Sequence, residues 1–531
     1  MNGAQKLPDH QRERAERSEA GRDLVPWRHR LLWSALLVSA YAAMQVVGWQ
    51  RSLIGTEIWG AYYASQPLSA QMEAIRNDLV HPPLAYLVMR TWFSVFGDSD
   101  NSAKSLPLVF TIPTIVAFTY LAARVTRCWR IASLLFSTAY LTVGAVPNQV
   151  RMYGQALLLT VIAILLWDKW RREPHNPTLI SWGIVMVLLV YTHLFGTLFL
   201  VAFVIVNCIY GSRHWTFLLT AMVVAIIFLP WALYVFPVYQ ARGLDANLPW
   251  VAKDLRVAIA RMPFGLMGRP LPFFAPQVRT WLVLLADALH LLLLVVAWRS
   301  IQRMWPPRAG QPDTTRWFWT VTLLAVIPIV LLFAFSVAVR PALQERFVYG
   351  VLPAYWLLVV LLSELGGRMG RVVLLGLVVP WAVSVVGTDV VLEQRWRPRP
   401  VRLATRILEG ELGRADLVVC EGAALGNQFY WEWTRRVQRP ARIRVLPPRP
   451  TNAWLSVLPQ SELATEDLRG MDRVWLLSQT EAKRRAVAEF LAVQGFEPYQ
   501  PSFPQSSALL AFSRKRASLR GRSVLGGAYQ R

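Results

Sequence analysis

Seven polar residues stand where this chain enters or leaves an apolar stretch, and their types suit work on an anionic, activated substrate. Glu57, in LIGTEIWGAYY, is an acid flanked by aromatics just past the first apolar run. Such a carboxylate could take a proton from an attacking hydroxyl or amine; a solvated interfacial carboxylate is the plainer occupant of that place. In NDLVHPPL, Asp78 precedes His81 by three residues, and could orient the ring or share a metal ion with it. The same residues also make an ordinary helix entry, with Asp as a cap and Pro in the first turn. Arg151 and Tyr153 (NQVRMYGQALL) and Arg346 (QERFVYGVLPA) put guanidinium groups at the ends of apolar runs. Arginine grips phosphate as a two-pronged fork, or merely snorkels to lipid headgroups. His193, in YTHLFG, breaks a long apolar run and could meet a substrate or a metal. Asp287 and His290 lie inside an apolar stretch, where ionisable groups are functional candidates; one helical turn apart, they are more simply read as each other's partners. No P-loop, dinucleotide fingerprint or G-x-S-x-G elbow occurs, and GGRMG at 366–370 reads as a turn.

The elements that must position these residues are membrane helices. Of 531 residues, 54% are hydrophobic and 17% charged, against roughly 25% charged in an average soluble domain. The net charge of +24 suits anionic lipid and lipid phosphate. Nucleic-acid motifs are absent from the sequence, and three scattered cysteines imply no disulfide framework. Apolar spans are expected at 31–49, 106–123, 131–147, 152–167, 178–193, 195–210, 214–236, 280–298, 317–338, 346–363 and 371–391, eleven in all. The pair at 178–210 reads as a helical hairpin broken at Thr192-His193 and Gly196. Residues 82–97 are too short, open with two prolines and carry Arg90, so they read as an amphipathic helix lying in the interface.

Charge sets the orientation. The connections 124–130, 168–173, 211–215, 299–316 and 364–371 are basic and fall on one side of an eleven-span chain, the inside. The polar arm 1–30 is then cytoplasmic and disordered. The loops 50–105 and 237–279 face outward, the second with six Lys/Arg and two Asp. Residues 31–391 form the membrane domain. Residues 392–513 change composition: DLVVCEGA (416–423), IRVLP (443–447), VWLLSQ (474–479) and ALLAFS (508–513) read as buried strands and 481–494 as a helix, giving a small extracytoplasmic α/β domain. The tail 514–531 is basic and read as disordered.

Taken in order, these motifs resemble the GT-C glycosyltransferases that use polyprenyl-phosphate sugars, nearest the protein O-mannosyltransferases, the lipid A aminoarabinose transferases and related bacterial family 39 proteins. The resemblance is carried by Thr56-Glu57, H-P-P-L (His81 to Leu84), W-x-x-x-x-G-D-S-D (Trp92 to Asp100), R-M-Y (Arg151 to Tyr153), Y-T-H-x-F-G (Tyr191 to Gly196) and E-R-F-x-x-x-x-L-P (Glu345 to Pro353). It covers about residues 30–390. It implies a polytopic, all-α GT-C-like membrane domain with a juxtamembrane HPPL helix. It implies transfer of a sugar, with inversion, from a polyprenyl-phosphate donor to a glycan, lipid or protein acceptor on the outer face of the cell membrane. Glu57 or Asp78 would be the base, Arg151, Tyr153 and Arg346 would hold the donor phosphate, and His81 and His193 would meet substrate or a divalent metal ion. The family usually has Asp-Glu where this chain has Thr56-Glu57, and commonly Arg where it has Lys104. A lipid-linked-sugar transporter or flippase, or a non-catalytic relative, is the alternative.

Overall fold

The computed structural model describes residues 26–49, 53, 55–78, 81–142, 149–210, 214–242, 258–259, 276–304, 313–339, 342–343, 345–378, 400–437, 440–446, 461–478, 481–499 and 509–514. The arm 1–25, the tail after 514, residues 379–391 of the last expected span and most of loop 237–279 lie outside them. The chain divides into two compact units: residues 60–397 with 1–51, and residues 398–531 with 52–59.

The first unit is helical. In chain order it holds α1 (Trp27–Gly48), most of α2 (Gly55–Ser65), α3 (Leu68–Asp78), α4 (Leu84–Phe96), α5 (Asp100–Val125), α6 (Trp129–Thr142), α7 (Tyr153–Arg172), α8 (Asn176–Thr192), α9 (Phe195–Tyr210), α10 (His214–Arg242), α11 (Pro276–Met304) and α12 (Asp313–Ala338). A 3₁₀ turn (Glu345–Val351), α13 (Leu352–Leu365) and α14 (367–378) complete it. Among the described residues five helices are long and apolar enough to cross a bilayer, and the chain is a polytopic membrane protein. Their flanks expose large apolar side chains such as Leu219, Ile226, Leu233, Leu291 and Val330, as lipid-facing surfaces do. The described parts of the other expected spans are also helical, and the segment 346–363 enters through a 3₁₀ turn before α13 begins.

Local chemistry sets the boundaries that matter. Pro82 and Pro83 stop the chain from continuing α3, and Pro83 O accepts the first bond of α4, from Leu87 N at 3.0 Å. The buried face of α4 is Ala85, Tyr86, Met89 and Phe93, a helical stripe. Its one cation, Arg90, donates to the carbonyls of Gln66 and Ala64 at the end of α2. The GDSD motif is a helix start: Gly97 takes φ 74°, and Ser99 Oγ accepts from Ser102 N at 3.2 Å to cap α5. Trp92 Nε1 donates to Ser102 O at 2.9 Å, tying α4 to that start. Lys104 donates to Trp49 O at 3.1 Å and lies 3.8 Å from Asp100, so it anchors the end of α1 to α5. The α8–α9 corner turns as the sequence predicts. His193 N still bonds back to Leu189 O, and a Cβ on Gly196 would sit 2.7 Å from Val190 N, so only glycine closes that corner.

The second unit is α/β, with strands β1 (Asp416–Glu421), β2 (Arg442–Leu446), β3 (Arg473–Leu477), β4 (Phe496–Tyr499) and β5 (Leu509–Arg514) in the order β2-β1-β3-β5-β4. β1 pairs in parallel with β2 and β3, while β5 runs antiparallel between β3 and β4. Alternate residues of β1 and β3 feed two cores. Val418, Cys420, Trp475 and Leu477 pack with α15 (Pro400–Glu411) and α16 (Gly422–Arg436). Leu417, Val419, Val474 and Leu476 pack with α17 (Glu481–Val493). Burial on both faces is why these strands read as unbroken apolar runs. Asp416 is held by Arg473 at 2.9 Å and by Trp475 Nε1 at 3.1 Å.

Candidate active site

Three connections of the helical unit bring the candidate residues together. Asp78 closes α3, His81 stands three residues before the start of α4, and Arg151 lies just ahead of α7, anchored by the buried side chains of Val150 and Met152. His81 Nδ1 and Asp78 Oδ2 are 2.7 Å apart, and Arg151 Nη2 lies 3.4 Å from His81 Nε2. A guanidinium can only donate, so Nε2 accepts and the His81 proton sits on Nδ1, donated to Asp78. Carboxylate, imidazole and guanidinium thus form one polarised chain, with Asp78 only 1% exposed and His81 6%. Tyr86, from the first turn of α4, donates its hydroxyl to the same Asp78 oxygen at 3.3 Å. Burial first, then the Asp78 charge, raises the Tyr86 hydroxyl well above its ordinary value, so it stays protonated and donates. Gln71 Nε2 donates to Tyr86 O at 3.0 Å, fixing α3 against α4.

Around Arg151 the partners are aromatic. Its guanidinium stands 5.5 Å from the Tyr153 ring centre. Burial works against its charge, but Tyr153, Tyr86 and Asp78 more than offset it and raise its pKa. Tyr153 in turn packs near His193 and, edge-on, Tyr349, at ring distances of 5.7 and 5.9 Å. His193 meets His81 edge to face at 5.6 Å. Burial, followed by the charges of His81 and Arg151, drives the His193 pKa well down, so its ring is neutral. Phe195 N donates to His193 Nδ1 at 3.1 Å, which leaves the proton on Nε2.

Of the seven residues singled out in the sequence, five therefore meet here: Asp78, His81, Arg151, Tyr153 and His193. Arg346 lies in the 3₁₀ turn that packs against α7 and carries Tyr349 to Tyr153; its side chain is outside the described atoms. Glu57 sits in the first turn of α2, fully buried at 0% exposure, and clusters with the second unit. The described residues hold no group of three His, Cys, Asp or Glu side chains able to bind a metal ion. The expected pairing of Asp287 with His290 is not formed. His290 instead donates from Nδ1 to Ala286 O at 2.6 Å and accepts at Nε2 from Tyr355 at 2.5 Å, because a ring one turn from its own helix carbonyl bonds backward along the helix. Sequence reasoning missed Tyr86 and Tyr349. Tyr86 had a signal: it lies in the apolar stripe of α4, and a buried tyrosine needs a partner for its hydroxyl.

No family model and no curated protein matches the chain. Among the solved structures that resemble it are two of ArnT, a lipid A aminoarabinose transferase, from Cupriavidus metallidurans. The apo state gives a TM-score of 0.43 at 14% identity, and the state bound to undecaprenyl phosphate gives 0.41 at 13%. Each comparison covers 92% of this chain and 99% of the other. The likeness lies in the course of the chain and assigns no residue a role.

Proposed function

We propose that the protein is an integral membrane glycosyltransferase that takes its sugar from a polyprenyl-phosphate donor. The observation that supports this reading is the buried chain Asp78–His81–Arg151, which ends in a cation backed by Tyr153. Breaking the bond between the sugar and its phosphate releases a phosphate whose charge must be met. A fixed guanidinium does this without delivering a proton. The donor half of the reaction therefore needs cations more than acids, and Arg151 supplies one, with Arg346 as the second on the adjoining turn. In the acceptor half, an oxygen or nitrogen forms the new bond to the sugar carbon while a base removes its proton. Asp78 already accepts from His81 and Tyr86 through one oxygen, so we assign it to positioning. Glu57 is left as the base, and attack opposite to the departing phosphate inverts the sugar carbon. The outward orientation and the open choice of glycan, lipid or protein acceptor stay as the sequence suggests them.

The test is transfer of labelled sugar from polyprenyl-phosphate donors to envelope acceptors by purified protein. Transfer is expected with the wild type and not with Glu57→Gln, which should still bind the donor. Movement of the lipid-linked sugar across vesicles without any transfer would replace the enzyme reading with a transporter.

A further inference from the structure

A second cluster of cations lies at the other end of α7 from Arg151, across a helix of 20 residues that is about 30 Å long. There Arg30, in the first turn of α1, and Arg124, in the last turn of α5, both stand against the ring of Tyr120, at 5.4 and 5.0 Å from its centre. We infer that this place is a binding site for an anionic phospholipid of the bilayer, with its phosphate between the two guanidiniums and its acyl chains along α5. The inference is separate from the transfer reaction and does not rest on it.

Three observations carry it. First, Arg30 is only 9% exposed, so it does not reach into water as a snorkelling arginine does. Among the described residues its one polar partner is the Tyr120 ring, and its Nε is buried with no hydrogen bond. It stands two helical turns from Leu37, on the face of α1 that packs with Ile115 of α5, where packing alone would place an apolar residue. A guanidinium cannot shed its charge, and a cation in the first turn of a helix opposes the helix dipole. A phosphate there would answer both the guanidinium and the free amides of the α1 start. Second, the local acid is already taken. Arg124 Nη1 lies 3.6 Å from Asp168 Oδ2, but Asp168 also holds Arg171 and Arg172 at 3.1 and 2.7 Å. One carboxylate faces three guanidiniums, and Arg30 adds a fourth positive charge. Third, the surroundings have the layout of a lipid. Trp27 and Tyr120 are exposed, as aromatic side chains are at headgroup level. Along α5 the exposed Val109, Ile112 and Val116 form one stripe that ends at Tyr120, at helical spacing. A soluble anion would use the cations and leave the stripe bare, whereas a phospholipid covers both.

The experiment is native mass spectrometry of the delipidated full-length protein in detergent, offered equal amounts of dioleoyl-phosphatidylglycerol and dioleoyl-phosphatidylcholine. The wild type should retain the phosphatidylglycerol about tenfold more strongly. Arg30→Gln should lose most of that preference, and Arg124→Gln part of it. Arg28→Gln, two residues away but exposed and set against Trp27, should keep it. Thermal unfolding gives a second readout and shows that the variant folds. Without added lipid, Arg30→Gln should melt no lower than the wild type, because it removes a buried charge that the protein itself does not pair. Added phosphatidylglycerol should raise the wild-type melting temperature and raise that of Arg30→Gln less. No preference in the wild type overturns the inference, and so does a preference that survives Arg30→Gln. Equal loss in Arg28→Gln would mean diffuse surface charge and overturns it as well. A lower melting temperature of Arg30→Gln in the absence of lipid would make Arg30 an internal anchor instead. Polyprenyl monophosphate, offered against phosphatidylglycerol, tests the occupant: a preference for it that Arg30→Gln abolishes would replace the bilayer phospholipid with a polyprenyl lipid.

Discussion

At the scale of single residues, the Asp78–His81–Arg151 chain makes separable claims. If Arg151 meets a phosphate, Arg151→Ala should weaken binding of polyprenyl monophosphate by about 1.5–3 kcal/mol, the worth of a charge-assisted hydrogen bond. Arg151→Lys should recover only part, because an ammonium cannot reproduce the fork; equilibrium binding in nanodiscs measures both. Asp78→Asn tests positioning. It removes the charge that holds the His81 proton on Nδ1, so turnover should fall by about 10²-fold with donor affinity little changed. A loss confined to KM would contradict it. His193 predicts a pH effect. Its folded pKa lies below the ordinary 6.5, so the unfolded chain takes up the proton first on acidification. The stability due to the neutral ring is complete above pH 6.5. It shrinks as pH falls below that value, by up to about 1.4 kcal/mol per pH unit. The difference in melting temperature between wild type and His193→Gln should therefore narrow between pH 7 and pH 5. The residue types of this site were legible in the sequence, because charged and imidazole groups beside apolar runs stand out. Their pairing was not. The bond between Asp78 and His81 is local, but Arg151 reaches His81 across 70 positions, and no single-sequence pattern encodes that contact.

At the scale of elements, the sequence marked breaks better than lengths. Pro82-Pro83, Gly97-Asp98-Ser99 and His193-Gly196 all fall at helix ends, because proline, positive φ and side-chain caps act within a few residues. Span lengths were harder, since an apolar run does not say where a helix gives way to a 3₁₀ turn; the turn at Glu345–Val351 follows from packing against α7. In the second unit the four apolar runs all became strands. β4 was missed, because FEPY carries a charge and a proline and draws its place from pairing with β5. The glycines allow a direct comparison. Gly196→Ala would drive a Cβ against the backbone of Leu189 and Val190, at 2.7–2.8 Å, and backbone cannot step aside. It should cost about 1–3 kcal/mol and loosen the corner that carries His193. Gly410→Ala, in α15, meets nothing within 4 Å and should stabilise by up to about 1 kcal/mol. Thermal unfolding in detergent should show shifts of opposite sign.

At the scale of the whole molecule, the open question is which face of the membrane carries the site. The argument comes from charge. Connections 124–130 and 168–173 bring Arg124, Arg127, Arg130, Lys169, Arg171 and Arg172 to one end of the helices, and Asp168 there binds Arg171 and Arg172 at 3.1 and 2.7 Å. Arg151 and His193 belong to connections at the opposite ends of α7 and α8, and His81 lies beside Arg151. On the proposal that basic short loops stay in the cytoplasm, the site would lie outside, where the proposed lipid-linked donor would be used without nucleotide. The parity holds only if α4 does not cross, and its 13 residues are about 20 Å of helix against roughly 30 Å of hydrocarbon. Cysteine accessibility decides it. In a chain whose Cys128, Cys208 and Cys420 have been replaced, a cysteine at exposed Asp98 should react with a membrane-impermeant maleimide in intact cells. A cysteine at exposed Arg127 should react only after permeabilisation. Ser102 is unsuitable, being buried at the start of α5. Reversal of the two patterns would turn the molecule over and place the site in the cytoplasm. Labelling of both in intact cells would break the parity of the spans between α4 and α6.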